Sequence, residues 1–236
     1  MNKKIEVKSE ERVLDDYLKI DKAIISETDE KGESVEYSRF KLDRPEAVSI
    51  ILYNSDDDTV ILVKQHRYAI HGKVSDNIFE IVAGKIDEGE DHEDAARREV
   101  EEEVGYKIKE ENLIYMSSFF ASPGYSSEVV HLYAATVTSE DKVSEGGGLD
   151  GEHENIEIVN VPATQFFQMA SRGAIVDAKS IIGANALWHL RNGQRVDIGL
   201  SYYEKLMKDK AELQAQQNAE DSTDSNENLD ANETSK

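Results

Sequence analysis

The stretch GKIDEGEDHEDAARREVEEEVGY, residues 84–106, crowds carboxylates together and ends in the run Arg98-Glu99-Val100-Glu101-Glu102-Glu103. On a helix, at about 100° per residue, Glu102 lies roughly 60° behind Glu99 and Glu103 roughly 40° ahead of it. Those three acids therefore share one narrow face, and Glu101 points away. Like charges spaced i, i+4 destabilise a solvated helix by roughly 0.2–0.5 kcal/mol, so local stability does not explain the cluster. A hard divalent cation does. Mg²⁺ or Mn²⁺ prefers carboxylate oxygens and retains waters for chemistry.

The surrounding pattern supplies the elements that must hold this face. Asp91 is placed to cap a helix whose apolar stripe is Ala96, Val100 and Val104, and Gly105 is placed to stop it. Upstream, AVSIILYN, the turn SDDD and TVILVKQHR read as a hairpin, and IFEIVAG reads as a further strand ending at Gly84. Downstream, LIYMSSFFAS and EVVHLYAATV are strand candidates. A loop rich in glycine and acid, SEDKVSEGGGLDGEHEN, leads into the short strand IEIVNVP. ATQFFQMASRG, KSIIGANALWHLRNG and SYYEKLMKDKAELQAQQ read as helices. Near the start, YLKIDKAII and VEYSRFKL flank the turn-rich ETDEKGES and suggest a small antiparallel unit.

This order predicts an α/β (α+β) fold in which helices sandwich a mixed β-sheet. The expected organisation is an N-terminal β extension over 1–45 and a main domain over 46–194. A C-terminal helix follows over 195–217, and an acidic tail over 218–236 has almost nothing apolar to bury and is expected to be disordered.

With 236 residues the chain suits one domain with appendages. It has no cysteine, which excludes disulfides, thiolate nucleophiles and thiolate-ligated metals. A formal net charge of -22 argues against a generic nucleic-acid binder. No run approaches the roughly 18 apolar residues that a spanning helix needs. The sequence thus reads as soluble and cytoplasmic, with no membrane partner. Six histidines show no HExxH or paired spacing, so a zinc protease is not indicated.

Gly84, Glu90, Arg98, Glu99, Val100, Glu102, Glu103, Gly105 and Tyr106 together reproduce the whole pattern G-x5-E-x7-R-E-U-x-E-E-x-G-U. A chance match is on the order of one in 10⁵ to 10⁶. The chain resembles the Nudix hydrolases. The resemblance implies a loop–helix–loop in which Glu99, Glu102 and Glu103, with the carbonyl of Ala83, hold Mg²⁺ or Mn²⁺ against a diphosphate. It gives Gly84, Glu90, Arg98 and Gly105 structural roles.

Flanking residues resemble the branch acting on ADP-ribose, GDP-mannose and other nucleoside diphosphate sugars. Ser122-Pro123-Gly124 matches its SPG element, and Glu128 follows shortly after. The acidic loop matches its catalytic loop, so Glu152 and Glu154 are the candidates for a metal ligand and for the base that takes a proton from water. Arg67 is the expected phosphate contact, its fork fitting two oxygens. In this branch extended N-terminal strands commonly dimerise, so a homodimer is expected, with Arg39 and Phe40 reaching substrate across the interface. The competing readings are a Nudix-fold sensor that binds a nucleotide sugar without cutting it, and an interaction protein whose acidic helix meets basic partners. His153 is expected to be an exposed loop residue, and Trp188, Tyr202 and Tyr203 core or interface.

Overall fold

The computed structural model describes residues 3–74, 77–148 and 156–193. The predicted C-terminal helix, the acidic tail, Glu152, His153, Glu154, Tyr202 and Tyr203 lie outside these residues.

Three long strands come first: β1 (Lys4–Asp15), β2 (Lys19–Thr28) and β3 (Ser34–Asp43). They form an antiparallel sheet in the order β1-β2-β3. The sequence pattern does not announce strand β1. Its register slips between Val7 and Ser9 and again between Arg12 and Leu14, and each slip breaks the two-residue alternation by which a strand is recognised. An ion network ties the sheet across its strands. Buried Asp21 on β2 meets Arg12 from β1 and Lys41 from β3, and Arg12 also reaches Asp43. These cations hold the Asp21 carboxyl below its ordinary range, Lys41 first and Arg12 next.

The second sheet contains β4 (Ala47–Asn54), β5 (Thr59–His66), β6 (Asn77–Glu80), β7 (Val82–Lys85), β8 (Leu113–Phe120), β9 (Val129–Val137) and β10 (Glu157–Pro162). Its main path is β10-β5-β4-β9-β8, with β6 beside β5 and β7 beside β4. Strands β4 and β9 run parallel and the other pairings are antiparallel, which makes the sheet mixed. The expected hairpin forms, but it stays paired only over Leu52–Asn54 and Thr59–Ile61. Beyond that point β4 pairs with β7 and β5 with β6. The segment read as one strand, IFEIVAG, therefore serves both sides of a split and is broken at Ile81.

Helix α1 (His92–Val104) covers one face, and α2 (Ala163–Ser171) and α3 (Ala178–Arg191) cover the other. Alternate residues of the central strands feed the two cores. Val48, Ile50, Leu52, Ile61 and Val63 pack with Ala95, Ala96, Val100 and Val104, whereas Ile51, Val60 and Leu62 pack with Phe166, Ala184 and Leu187. Burial on both faces is why β4 and β5 read as nearly continuous apolar runs. Each such aliphatic side chain contributes about 1.5–3 kcal/mol relative to exposure. Near the start of α1, the His92 ring stacks on buried His131 at 4.8 Å, and Tyr133 bonds to His92. His131 in turn bonds to Glu46 at 2.7 Å and Ser118 at 2.8 Å. These contacts anchor the helix entrance to β8, β9 and the start of β4.

Candidate active site

Asp91 caps α1 by accepting the Glu93 N–H at 2.8 Å. Gly105 ends the helix at φ 75°, with its N–H on the Glu101 carbonyl at 3.1 Å. A Cβ at Gly105 would stand 2.1 Å from the Ser144 carbonyl oxygen, so glycine is required there twice over. Gly84 answers a different need. A Cβ on it would fall 1.9 Å from the Glu99 carboxyl carbon and within 2.2 Å of both its oxygens. Without a side chain, β7 lets the Glu99 carboxylate lie directly against its backbone.

Arg98 is the hub of the acidic face. Its Nε and Nη2 donate to Glu90 at 2.9 and 2.8 Å, and Nη2 also reaches the Lys85 carbonyl at 3.0 Å. Nη1 donates to Glu99 at 2.7 Å and to Glu102 at 3.1 Å. One guanidinium thus joins the loop before α1, strand β7 and two of the three face acids. The Arg98 pKa rises, mainly through the Glu90 bonds, and Glu90 is lowered by Arg98 first. Glu103 is only 2% exposed and its carboxylate accepts the Ala83 N–H at 3.3 Å.

A cleft of about 1060 Å³ opens at the split in the sheet. Ala83, Gly84, Glu99, Glu102 and Arg98 form one wall; Gln65, His66, Arg67 and Glu80 form another, with Asp177 and Lys179 from the start of α3. Arg44, Glu128 and the highly exposed Tyr17 also border it. Buried Glu80 receives Arg67 Nε at 2.7 Å, Arg67 Nη2 at 2.9 Å and Lys179 Nζ at 3.2 Å. Lys179 also bonds to Asp177 at 2.7 Å, and Asp177 caps α3 through the Ser180 N–H at 2.9 Å. Burial opposes charge on Lys179, but Glu80 and Asp177 outweigh it and its pKa is raised. Burial likewise pushes Asp177 up, and Lys179 with Ser180 reverses the sign. The cleft accordingly sets acids on the α1 side against cations at its far wall.

Residues 43–180 match the NUDIX domain family model. The chain belongs to the Nudix hydrolase family. It is 31% identical over 189 residues to a GDP-mannose pyrophosphatase of Citrobacter koseri, covering 79% of this chain and 96% of that protein. The corresponding Escherichia coli O1:K1 protein is 30% identical over the same lengths. A crystal structure of an ADP compounds hydrolase superposes with a TM-score of 0.63 at 22% identity, covering 81% of this chain and 97% of that one. That likeness is one of fold. The relatives' name agrees with the GDP-mannose side of the sequence resemblance.

Within the Nudix box, Gly84, Glu90, Arg98, Glu99 and Glu102 are joined by the contacts above, and Gly105 ends the helix that carries them. Ala83 lies beside them in the cleft and meets Glu103 through its N–H. Glu128 borders the cleft with Arg44 at 3.5 Å. Arg67 is in the cleft too, with two of its donors committed to Glu80. Pro123 is exposed in the loop before β9, and Arg39 is exposed on β3, stacked over Tyr37 at 4.3 Å. Neither borders the cleft of its own chain. Phe40 is exposed, as is Trp188, which meets Phe167 edge-on at 5.2 Å. The glycine-rich loop docks on the end of α1: the Gly147 N–H reaches the Glu103 carbonyl at 2.8 Å and the Gly148 N–H the Glu102 carbonyl at 3.1 Å. The described part of that loop thus ends against the box.

Sequence reasoning misses Glu80, Asp177, Lys179, Arg44 and Tyr17. They come from β6, α3 and the N-terminal segments, and only tertiary structure joins them. The one available signal is Asp177-Ala-Lys-Ser180, legible as a helix cap. Nudix hydrolases generally use divalent metals, and the all-oxygen donors fit a hard ion. Gly84 leaves the room in which the Glu99 carboxylate lies. Among the described residues no three acidic or histidine side chains already converge on one point; Arg98 stands between Glu99 and Glu102, and Glu103 is turned onto Ala83.

Proposed function

We propose that this Nudix hydrolase cleaves the diphosphate of a nucleoside diphosphate sugar of the GDP-mannose or ADP-ribose type, releasing a nucleoside monophosphate and a sugar phosphate. The observation that carries the reading is the complete box, with Gly84 and Glu99 in contact, facing a cleft whose far wall carries Arg67 and Lys179. The relatives' names support the substrate class.

Glu99, Glu102, Glu103 and the Ala83 carbonyl would hold Mg²⁺, with Mn²⁺ as the alternative. When bound, the ion supplies positive charge to the phosphoryl oxygens and makes water more acidic. Arg98 keeps the box acids in place, and Arg67 and Lys179 orient the diphosphate. A carboxylate of the following loop, Glu152 or Glu154, takes the proton as water oxygen bonds to phosphorus. The bridging P–O bond then breaks and the sugar phosphate or nucleotide departs. Glu128 and Tyr17 line the approach, the tyrosine offering a face to the base. In the proposed cytoplasmic homodimer, Arg39 and Pro123 complete the partner's cleft.

The test is phosphate release from GDP-mannose, ADP-ribose and UDP-glucose with Mg²⁺ and an added phosphatase. Turnover should vanish with a chelator, return with Mg²⁺, and fall about 10³-fold or more in Glu103→Gln. Tight binding of a nucleotide sugar by the native protein without turnover would instead establish a sensor.

A further inference from the structure

Glu80 is 2% exposed, and both of its carboxylate oxygens are occupied by cations of the cleft wall. Oε1 accepts from Arg67 Nε at 2.7 Å, and Oε2 accepts from Arg67 Nη2 at 2.9 Å and from Lys179 Nζ at 3.2 Å. The carboxylate thus takes one edge of the guanidinium. Among the described residues none accepts from Nη1, so the other edge, formed by Nη1 and the second Nη2 hydrogen, keeps its donors. The Arg67 side chain is 42% exposed and borders the cleft.

The backbone that carries Glu80 is tied to the two elements that carry these cations. On one side β6 pairs Glu80 with Val63 of β5, the strand that leads into Arg67. On the other, the N–H of Ile81 donates to Ser180 Oγ at 2.9 Å, and Ser180 follows Lys179 at the start of α3. Two cations held side by side repel, and a long arginine left mobile must be ordered when its ligand binds. A buried carboxylate on a fixed backbone meets both costs in advance. Buried beneath Arg67 and Lys179, it acts on a ligand through them. Resting on the function proposed above, we propose that Glu80 is a positioning residue: it fixes the plane of Arg67 and the place of Lys179 so that the open guanidinium edge meets two oxygens of the diphosphate.

The alternative role has the opposite sign. If Glu80 only adds negative charge beside an anionic substrate, removing that charge strengthens substrate binding; if it positions Arg67, removal weakens binding. The experiment measures kcat, KM and Tm with Mg²⁺ on GDP-mannose or ADP-ribose, whichever the native protein turns over faster. Glu80→Gln should raise KM about 10-fold or more and leave kcat within about 3-fold, the pattern of lost binding common to ground and transition states. In an Arg67→Ala background the same change should raise KM by no more than about 3-fold, because the guanidinium it acts through is gone. If Glu80→Gln does not fold, Glu80→Asp, which keeps the charge and withdraws it by one methylene, replaces it and should raise KM about 5-fold or more. A KM equal to or below the native value in these variants would overturn the proposal, as would a loss confined to kcat. Equal losses with and without Arg67, accompanied by a lower Tm, would make Glu80 structural only and overturn it too. Each of these outcomes leaves native turnover, and with it the proposed function, standing; no native turnover on either nucleotide sugar removes both.

Discussion

Gly84 is the residue whose role the geometry constrains most tightly. The atom that a Gly84→Ala side chain would strike is the far end of Glu99, 1.9 Å away, and a flexible carboxylate can yield without disturbing the backbone. We therefore expect the substitution to spare the fold and damage the site: Tm within a few degrees of native, with kcat/KM lowered by about 10²-fold, the scale of a displacement of about 1 Å in a reacting constellation. Full activity in the alanine variant would mean that the Glu99 position is unimportant. Gly84 is legible in the amino-acid sequence because the box is local, and helix periodicity turns its spacing into geometry. Lys179 is not. Its meaning depends on Glu80, which lies 99 positions away in the chain, and no periodicity carries that information.

At the scale of elements, α1 is held from both ends, and its C-terminal end is supported by the turn after β9. Asp141 accepts the Thr138 N–H and hydroxyl, each at 2.8 Å, and Lys109 at 3.0 Å. Its backbone carbonyl takes the Lys107 N–H at 2.9 Å. From there the chain returns along Gly105 and lays Gly147 and Gly148 on the helix end. The Thr138 backbone bond, then Lys109 and the Thr138 hydroxyl, lower Asp141 from 3.8 to about 2. A depressed carboxyl stabilises the fold fully above its unfolded pKa and loses that contribution as pH falls through the folded one. Asp141→Asn should therefore cost roughly 1–2 kcal/mol at pH 7, and the difference from native should shrink between about pH 4 and pH 2. Urea unfolding at several pH values measures it; a gap that stays constant into strong acid would show that the turn does not depend on the charge. The helices and most strands of the main domain are legible in the sequence, since a buried stripe or run announces each. The break at Ile81 is not, because IFEIVAG is apolar on both sides of it and only the competing ladders of β4 and β5 divide it.

At the scale of the molecule, the sheet of β1, β2 and β3 contributes no residue to either apolar core. Ile5, Val7, Val13, Leu14, Val35 and Phe40 are exposed on it, and β1 presents an open edge. A small sheet without a buried apolar face is marginal in water, and a long exposed edge invites another strand. Both problems are solved together if two copies bury these strips against each other, which is the proposed homodimer. The same arrangement accounts for Arg39 and Pro123 standing away from the cleft of their own chain. Two measurements decide it. Sedimentation of the native protein should give about twice the mass of one chain, and Ile5→Glu with Val7→Glu should give one chain's mass, because the buried charges introduced on both copies would then lack partners. If the partner completes the cleft, that monomer should bind substrate more weakly, KM rising about 10-fold or more, while Glu99 and Gly84 keep their contact. A native monomer with full activity would break the link between the strips and the site, and the exposed strands would then require a different partner.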